Sequence, residues 1–178
     1  MAPVPVLMII LGTPASGKTT LARRLAADLK LSCFCKDDVK EALFESLGAG
    51  SRDWSRRLSA ASFAVLTELA RASSSAGMSC IVEGNWRGAH AAELSRLAER
   101  GARTAQVWCR AEPLEIVRRF TQRRRHPGHL DQLLRDEVEM LSQAPPSFLE
   151  LPGPRWVYAS DDPGAYPGLV RGLQSWGL

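Results

Sequence analysis

The sequence predicts a doubly wound α/β domain, built on a mainly parallel five-stranded sheet with helices on both faces. Three observations carry that expectation. Short apolar, β-rich runs alternate with longer helical stretches, the β-α-β-α order that builds such sheets. The runs are apolar throughout, as parallel strands covered on both sides should be. The chain has 178 residues, of which 45% are hydrophobic and 24% charged, and this suits one compact domain over 1–178.

A core of that size buries roughly 70% of the unfolded chain's surface, so no staples are required. The composition excludes a disordered chain, a collagen-like fibre and a coiled coil. The apolar run Val4–Leu11 is too short to span a bilayer. It also lacks the flanks of a signal peptide, so a soluble, cytoplasmic protein with no membrane partner is expected. The four cysteines, Cys33, Cys35, Cys80 and Cys109, form no CxxC pair. Cys33, Cys80 and Cys109 read as small buried hydrophobes, and Cys33 and Cys35 should share a strand face. Zinc would need four well-spaced ligands, which they do not offer.

The first strand, Val6–Leu11, runs into Gly12-Thr13-Pro14-Ala15-Ser16-Gly17-Lys18-Thr19, and a helix over Lys18–Asp28 follows. This is GxxxxGK[ST], the P-loop pattern, in the strand-to-helix setting it requires. The loop's N–H groups turn inward around a phosphate, and the helix adds the positive end of its dipole. Lys18 can reach the β- and γ-phosphates, and the Thr19 hydroxyl suits Mg²⁺. The nucleotide-binding set is therefore Gly12 to Thr20, with Thr20 on the first turn. A P-loop NTPase fold binding ATP and Mg²⁺ is expected.

The second strand, Cys33–Cys35, leads through Lys36-Asp37-Asp38 to a helix over Val39–Leu47. A carboxylate here lies at the carboxyl edge of the sheet, where such folds bind ligands. Asp37 suits the group that orients an acceptor hydroxyl and takes its proton. It equally suits the N-cap of the next helix. Asp38 and Lys40 are candidates to hold the acceptor. A third helix, Ser55–Ser74, has helical spacing at Leu58, Ala61, Val65, Leu69 and Ala72.

The third strand, Ser79–Val82, ends at Glu83-Gly84-Asn85-Trp86-Arg87, before a helix over Gly88–Arg100. Glu83 occupies the place of a Walker-B-like acid for Mg²⁺, although a strand-end turn explains it too. Gly84 would let the backbone pass close to a ligand. Asn85, Trp86 and Arg87 are candidates to line the acceptor pocket, with core packing as the other reading of Trp86.

A fourth strand, Thr104–Cys109, precedes a helix over Leu114–Arg124, entered through Pro113. Arg119 and Arg123 are four apart and share a face, so two guanidiniums could converge on a transferring phosphoryl group. Arg118, Arg124 and Arg125 read as solvated or phosphate-steering. The segment 118–131 forms a short Arg-rich lid. His126-Pro127-Gly128-His129-Leu130-Asp131 reads as its hinge, leading into a helix over Leu130–Ser142, with either histidine able to touch the acceptor. A last strand, Trp156–Tyr158, is followed by Ser160-Asp161.

The P-loop, a strand and the basic-Asp-Asp-x-x-basic run Lys36–Lys40 together resemble the small P-loop kinases of the polynucleotide-kinase type. This AAA-type ATPase and kinase group also includes chloramphenicol phosphotransferase, zeta-toxin kinases and gluconate-type kinases. The resemblance implies that Asp37 is the general base. It also implies that Arg119 and Arg123 close over ATP and that the Ser160-Asp161 loop helps hold adenine. Phage-type polynucleotide kinases carry Arg where this chain has Lys36 and Lys40, and Lys lacks the fork that suits a nucleic-acid phosphate. The leading expectation is an ATP-dependent kinase acting on a small-molecule hydroxyl. A polynucleotide 5′-hydroxyl kinase is the alternative within enzymes. The alternative of another class is a nucleotide-binding regulatory module with slow hydrolysis.

Overall fold

The computed structural model describes residues 4–130 and 135–178. Five strands form one parallel sheet: β1 (Val6–Gly12), β2 (Ser32–Cys35), β3 (Cys80–Glu83), β4 (Arg103–Arg110) and β5 (Arg155–Ala159), in the order β2-β3-β1-β4-β5. Between and after them run α1 (Lys18–Leu29), α2 (Lys36–Leu47), α3 (Arg52–Ser75), α4 (Gly88–Glu99), α5 (Pro113–Gln122), α6 (Arg135–Ser142) and α7 (Ala165–Ser175). Among the described residues, no helix is long and apolar enough to cross a membrane.

All seven residues of β1 are buried, and their alternation sorts the core into two layers. Leu7, Ile9 and Leu11 face α3 and α4 through Phe63, Leu66, Leu94 and Leu97. Met8 and Ile10 face α1 and α7 through Leu21, Leu25, Leu169 and Leu173. A strand packed on both sides must be apolar at every position, which explains the unbroken run. A third, smaller cluster (Ala111, Ile116, Phe120, Val138) holds α5 against α6.

Four expectations need correction. The buried stripe of α3 is Leu58, Ser62, Leu66, Ala70 and Ser73, while Val65 and Leu69 are exposed and Ala61 and Ala72 lie on their side. Two apolar stripes coexist on this helix, and the burial of Leu66 and Phe63 under the sheet decides between them. Next, α2 begins at Lys36 with Cys35 as its N-cap, so Asp37 caps nothing and sits in the first turn. The pattern also does not reveal α7, because Pro167, Gly168 and Gly172 obscure its helical spacing. Lastly, α5 stops at Gln122, short of Arg124.

The cysteines are all free; Cys35, Cys80 and Cys109 are buried and Cys33 half-buried, with the Cys33 and Cys35 sulphurs 3.7 Å apart on one face of β2. Residues 131–134 of the expected last helix, with Asp131 at the end of the expected lid, lie outside the described residues.

Leu66→Ala should cost about 2–5 kcal/mol, as deletions at fully buried sites do. Leu69→Ala should cost less than about 1 kcal/mol. Denaturant midpoints of the two variants check the corrected face, and a reversed order would overturn it.

Candidate active site

The carboxyl ends of the strands open into a cavity of about 720 Å³. Its floor is the P-loop. Gly12 has φ +141°, and a Cβ there would lie 2.2 Å from the Cys109 carbonyl oxygen, so the loop passes where no side chain fits. Ala15 takes a left-handed φ of +62°, the kind of local strain that collects at ligand sites. Lys18 is buried and donates to the Thr13 carbonyl at 2.7 Å. Its ammonium lies 4.0 Å from Glu83. Burial lowers the Lys18 pKa, with Glu83 and Asp37 opposing the shift. Burial likewise raises that of Glu83, with Lys18 opposing it. Each charge therefore makes the other's burial tolerable.

Thr19 Oγ1 donates to Glu83 Oε2 at 3.1 Å. A hydroxyl and a carboxylate side by side at a phosphate cradle form the all-oxygen donor set that Mg²⁺ takes. Pro14, Ala15, Gly17, Lys18, Thr19 and Thr20 line the cavity, while Gly12, Thr13 and Ser16 form the loop behind them.

The opposite wall starts at α2. Asp37 accepts from Lys36 Nζ at 3.1 Å and pairs with Arg125 at 2.5 Å. Burial alone would push its carboxyl up, but Lys36, Arg125 and His129 outweigh burial and hold it far below the usual carboxylate range. The positive end of α2 acts in the same direction. Asp37 is thus an anion that stays charged.

Arg125 reaches it from a segment latched onto α2 and α3. His126 stacks on Phe44 at 5.0 Å, and the His129 ring meets Phe44 edge-on at 5.5 Å. A Cβ on Gly128 would lie 2.8 Å from the Phe44 ring, so only glycine lets the segment sit this close. Lys40 Nζ donates to Ser55 Oγ at 2.9 Å, and Ser55 donates to the Gly128 carbonyl at 3.0 Å. His129 is buried and contacts Glu41 at 2.8 Å. That contact is a hydrogen bond from a neutral ring, because burial and the Arg125 charge push the His129 pKa down to about 3.

On the nucleotide side, Arg119 donates to Glu115 at 2.7 Å and to Ser160 Oγ at 2.8 Å, which places it beside Gly17. Arg123 lies over the Phe120 ring at 4.2 Å. Both line the cavity, although Arg123 has already left the helix as the C-cap of α5.

The family described as "AAA domain" matches residues 7–144. The chain belongs to this family. A candidate kinase of Chloroflexus aurantiacus is 30% identical at a TM-score of 0.85, with 97% of this chain and 98% of that chain covered. Kti12 of Chaetomium thermophilum, solved with ADP-AlF3, is 15% identical at a TM-score of 0.67 over 95% of this chain and 97% of that one. The APS kinase CysC of Mycobacterium tuberculosis, solved with AMPPNP and APS, is 18% identical at a TM-score of 0.60 over 97% and 99%. The last two likenesses concern the fold. No curated protein matches the chain.

In this AAA-domain chain the cavity gathers Lys18, Thr19, Asp37, Lys40, Glu83, Asn85, Arg87, Arg119 and Arg123 from among the anticipated site residues. It leaves out two. Asp38 turns to the surface, where Arg23 binds both its oxygens at 2.7 and 2.9 Å. One position along a helix is about 100° of rotation, so Asp37 and Asp38 cannot both face the cleft. Trp86 is 3% exposed and packs edge-on against Phe63 at 4.9 Å, within the core. Gly84 lines the cavity, where a Cβ would be crowded by Phe63, Lys36 and Trp86.

Arg125 was expected to be solvated or phosphate-steering; it lines the cavity and holds Asp37. Pro127 keeps only His126 out of helical geometry, while α5 already ends at Gln122, an end that no motif announces. Phe63 and Ser59 of α3, and Arg24 of α1, also line the cavity without any motif to announce them.

The unfolded chain binds a proton at His129 near pH 6.5, the folded chain only near 3. The ring's contribution is whole above pH 6.5 and drains as pH falls, by up to about 1.4 kcal/mol per unit. Wild type should therefore lose about 2 kcal/mol more than His129→Gln between pH 6.5 and 4.5. Urea titrations at the two pH values check this, and parallel losses would contradict a neutral buried ring.

Proposed function

We propose that the chain is an ATP-dependent kinase that moves the γ-phosphoryl group of ATP to a hydroxyl of a small-molecule acceptor. The observation that carries this reading is an ionised carboxylate, Asp37, facing the same cavity as Lys18, Thr19 and Glu83. A P-loop by itself speaks for nucleotide binding. A carboxylate across the cleft, on a different strand end, gives an acceptor hydroxyl something to bind. The AAA-domain family and the 30% identical candidate kinase support the reading.

The residues divide the work as follows. The P-loop amides and Lys18 hold the triphosphate, for which Lys18 exchanges the Thr13 carbonyl for phosphate oxygen. Thr19 and Glu83 would hold Mg²⁺, which when bound neutralises charge on the β- and γ-phosphates. Asp37 accepts a hydrogen bond from the acceptor hydroxyl. Its oxygens already bind Lys36 and Arg125, but each retains a lone pair for this purpose. As the acceptor oxygen bonds to the γ-phosphorus, the bond to the β-phosphate oxygen breaks and ADP leaves. The hydroxyl proton passes to Asp37. A carboxylate held this acidic is a weak base, which suits a loose transition state where the proton moves late. Arg119 and Arg123 face the charge that spreads over the transferring oxygens.

Label transfer from γ-labelled ATP with Mg²⁺ tests the proposal, using pooled nucleosides, sugars, 5′-hydroxyl oligonucleotides and a metabolite extract. Asp37→Asn should lower transfer about 10²–10⁴-fold while nucleotide still binds. Lys18→Ala should abolish transfer by loosening the triphosphate. Release of free phosphate alone, equal in wild type and Asp37→Asn, would instead favour a nucleotide-binding regulatory module.

A further inference from the structure

Two thiols lie together on the edge strand of the sheet. Cys33 and Cys35 alternate along β2, so both project from one face, toward the layer that holds α1. Their sulphurs are 3.7 Å apart and share a hydrogen bond. Cys80 and Cys109 differ from them in being deeply buried, which pushes both of those thiols up to about 11. The Cys109 thiol also donates to the Ser16 carbonyl at 2.9 Å.

The pair is asymmetric. Cys35 is 3% exposed, whereas Cys33 is half-buried and reachable from solvent. The deeper thiol keeps its proton, because the bond to Cys33 and burial both raise its pKa. That shared proton holds the Cys33 thiol below its ordinary value, against burial. Cys33 is thus the sulphur that ionises first and meets a reagent first, with a second thiol behind it. The backbone sets the closing geometry. Two residues of a parallel strand advance about 6.6 Å, just inside the limit of about 6.8 Å between Cα atoms that a disulfide bridges. Closing the bond therefore draws in the strand rather than merely turning two side chains. A strand paired on both sides would resist this, but β2 pairs on one side only, with β3.

We propose that Cys33 and Cys35 are an oxidisable pair that closes to an intramolecular disulfide, and that closure displaces the start of α2 and slows phosphoryl transfer. The second half of the proposal rests on the kinase reading above. The oxidant is a small disulfide such as oxidised glutathione. The Cys33 thiolate attacks one of its sulphurs, the S–S bond breaks, and one glutathione leaves as a thiolate that takes up a proton. The Cys35 thiol then gives up its proton and attacks the Cys33 sulphur, expelling the second glutathione. The protein loses two electrons and two protons, and the glutathione disulfide gains them. Cys35 is the N-cap of α2, with Lys36 and Asp37 next to it in the first turn, and it pairs in register with Glu83. Drawing Cys35 toward Cys33 therefore pulls on the residue that starts the helix carrying the acceptor-side carboxylate. Misplacing a reacting group by about 1 Å can cost about 10²-fold. A bond closed at this stretch is readily reduced, so the change reverses.

Peptide mass spectrometry tests the pairing on the full chain, treated in its folded state with oxidised glutathione, then denatured, alkylated and cut with trypsin. Lys30 and Lys36 bound one tryptic peptide, 31–36, that holds both cysteines. In wild type this peptide should lose its two thiol hydrogens and escape alkylation, and dithiothreitol should restore both thiols. Cys35→Ser should trap glutathione on Cys33, with Cys35→Ala as the repeat if the serine hydroxyl disturbs the core. Cys33→Ser should leave Cys35 a free thiol. In the label-transfer assay, oxidised wild type should be at least about tenfold slower than reduced, whereas Cys33→Ser should keep the reduced rate with or without oxidant. Two intact thiols after oxidation, glutathione retained on wild-type Cys33, or a disulfide-linked dimer would overturn the pairing. A closed disulfide with unchanged transfer would overturn its effect on α2. If reduced wild type transfers label to no acceptor, the kinase reading falls and takes the second half of the proposal with it, while the peptide masses still decide the first.

Discussion

The ion pair between Asp37 and Arg125 joins two parts of the chain 88 residues apart. One end is the first turn of α2, fixed to the sheet through β2. The other is the segment after α5, which has no regular structure beyond a single 3₁₀ turn at Pro127–His129. Such a segment would wander without anchors. Phe44 supplies an aromatic platform for His126 and His129, Gly128 lets the backbone approach it, and Ser55 ties the Gly128 carbonyl to Lys40. Arg125 is thereby carried to a fixed place. The same pair that orders the segment joins Lys36 in keeping Asp37 ionised.

Charge burial on the other side of the cleft obeys the same logic. Lys18 at the start of α1 and Glu83 at the end of β3 are both buried, and either one left alone would favour its neutral form. Together they remain usable: an ammonium for phosphate and a carboxylate beside the Thr19 hydroxyl. The parallel sheet makes the pairing possible, because β1 and β3 are adjacent and run in the same direction. Their carboxyl ends therefore open at one edge. The apolar alternation of β1 thus does more than fill two cores. By locking β1 between two helical layers, it fixes where Gly12–Thr19 must emerge.

Much of this was legible in the sequence. The strand–P-loop–helix unit carries its own geometry, and the apolar runs name every strand. Glu83 and Asp37 follow from their places at the carboxyl ends of the third and second strands. What the sequence hid depends on contacts between distant segments. Asp37 and Asp38 are equivalent on paper, and only the rotation of α2 turns one into the cleft and the other to Arg23. On α3, Leu66 and Leu69 both belong to plausible stripes, and packing under the sheet selects Leu66. Arg125 looks like one of five similar arginines until α5 ends at Gln122 and the chain crosses to Asp37. Trp86 looks like a ligand wall until Phe63 takes its face.

The distribution of arginines follows from these constraints. Arg118 lies on the solvent side of α5 and is satisfied by Glu115 and Gln122. Arg119, one residue on, is turned about 100° and reaches Ser160 beside the P-loop. Arg123 leaves the helix and rests on Phe120, whose own burial against Ile116 and Val138 depends on α5 packing against α6. Arg125 crosses to Asp37. Three neighbouring guanidiniums therefore serve three different places along one cleft, and the end of α5 at Gln122 is what separates them. A helix continued through Arg125 would space its arginines along one cylinder and could not deliver Arg119 to Ser160 and Arg125 to Asp37 at once. Ending the helix early turns a run of like charges into an ordered set of contacts that spans the cavity from the P-loop to the acceptor side.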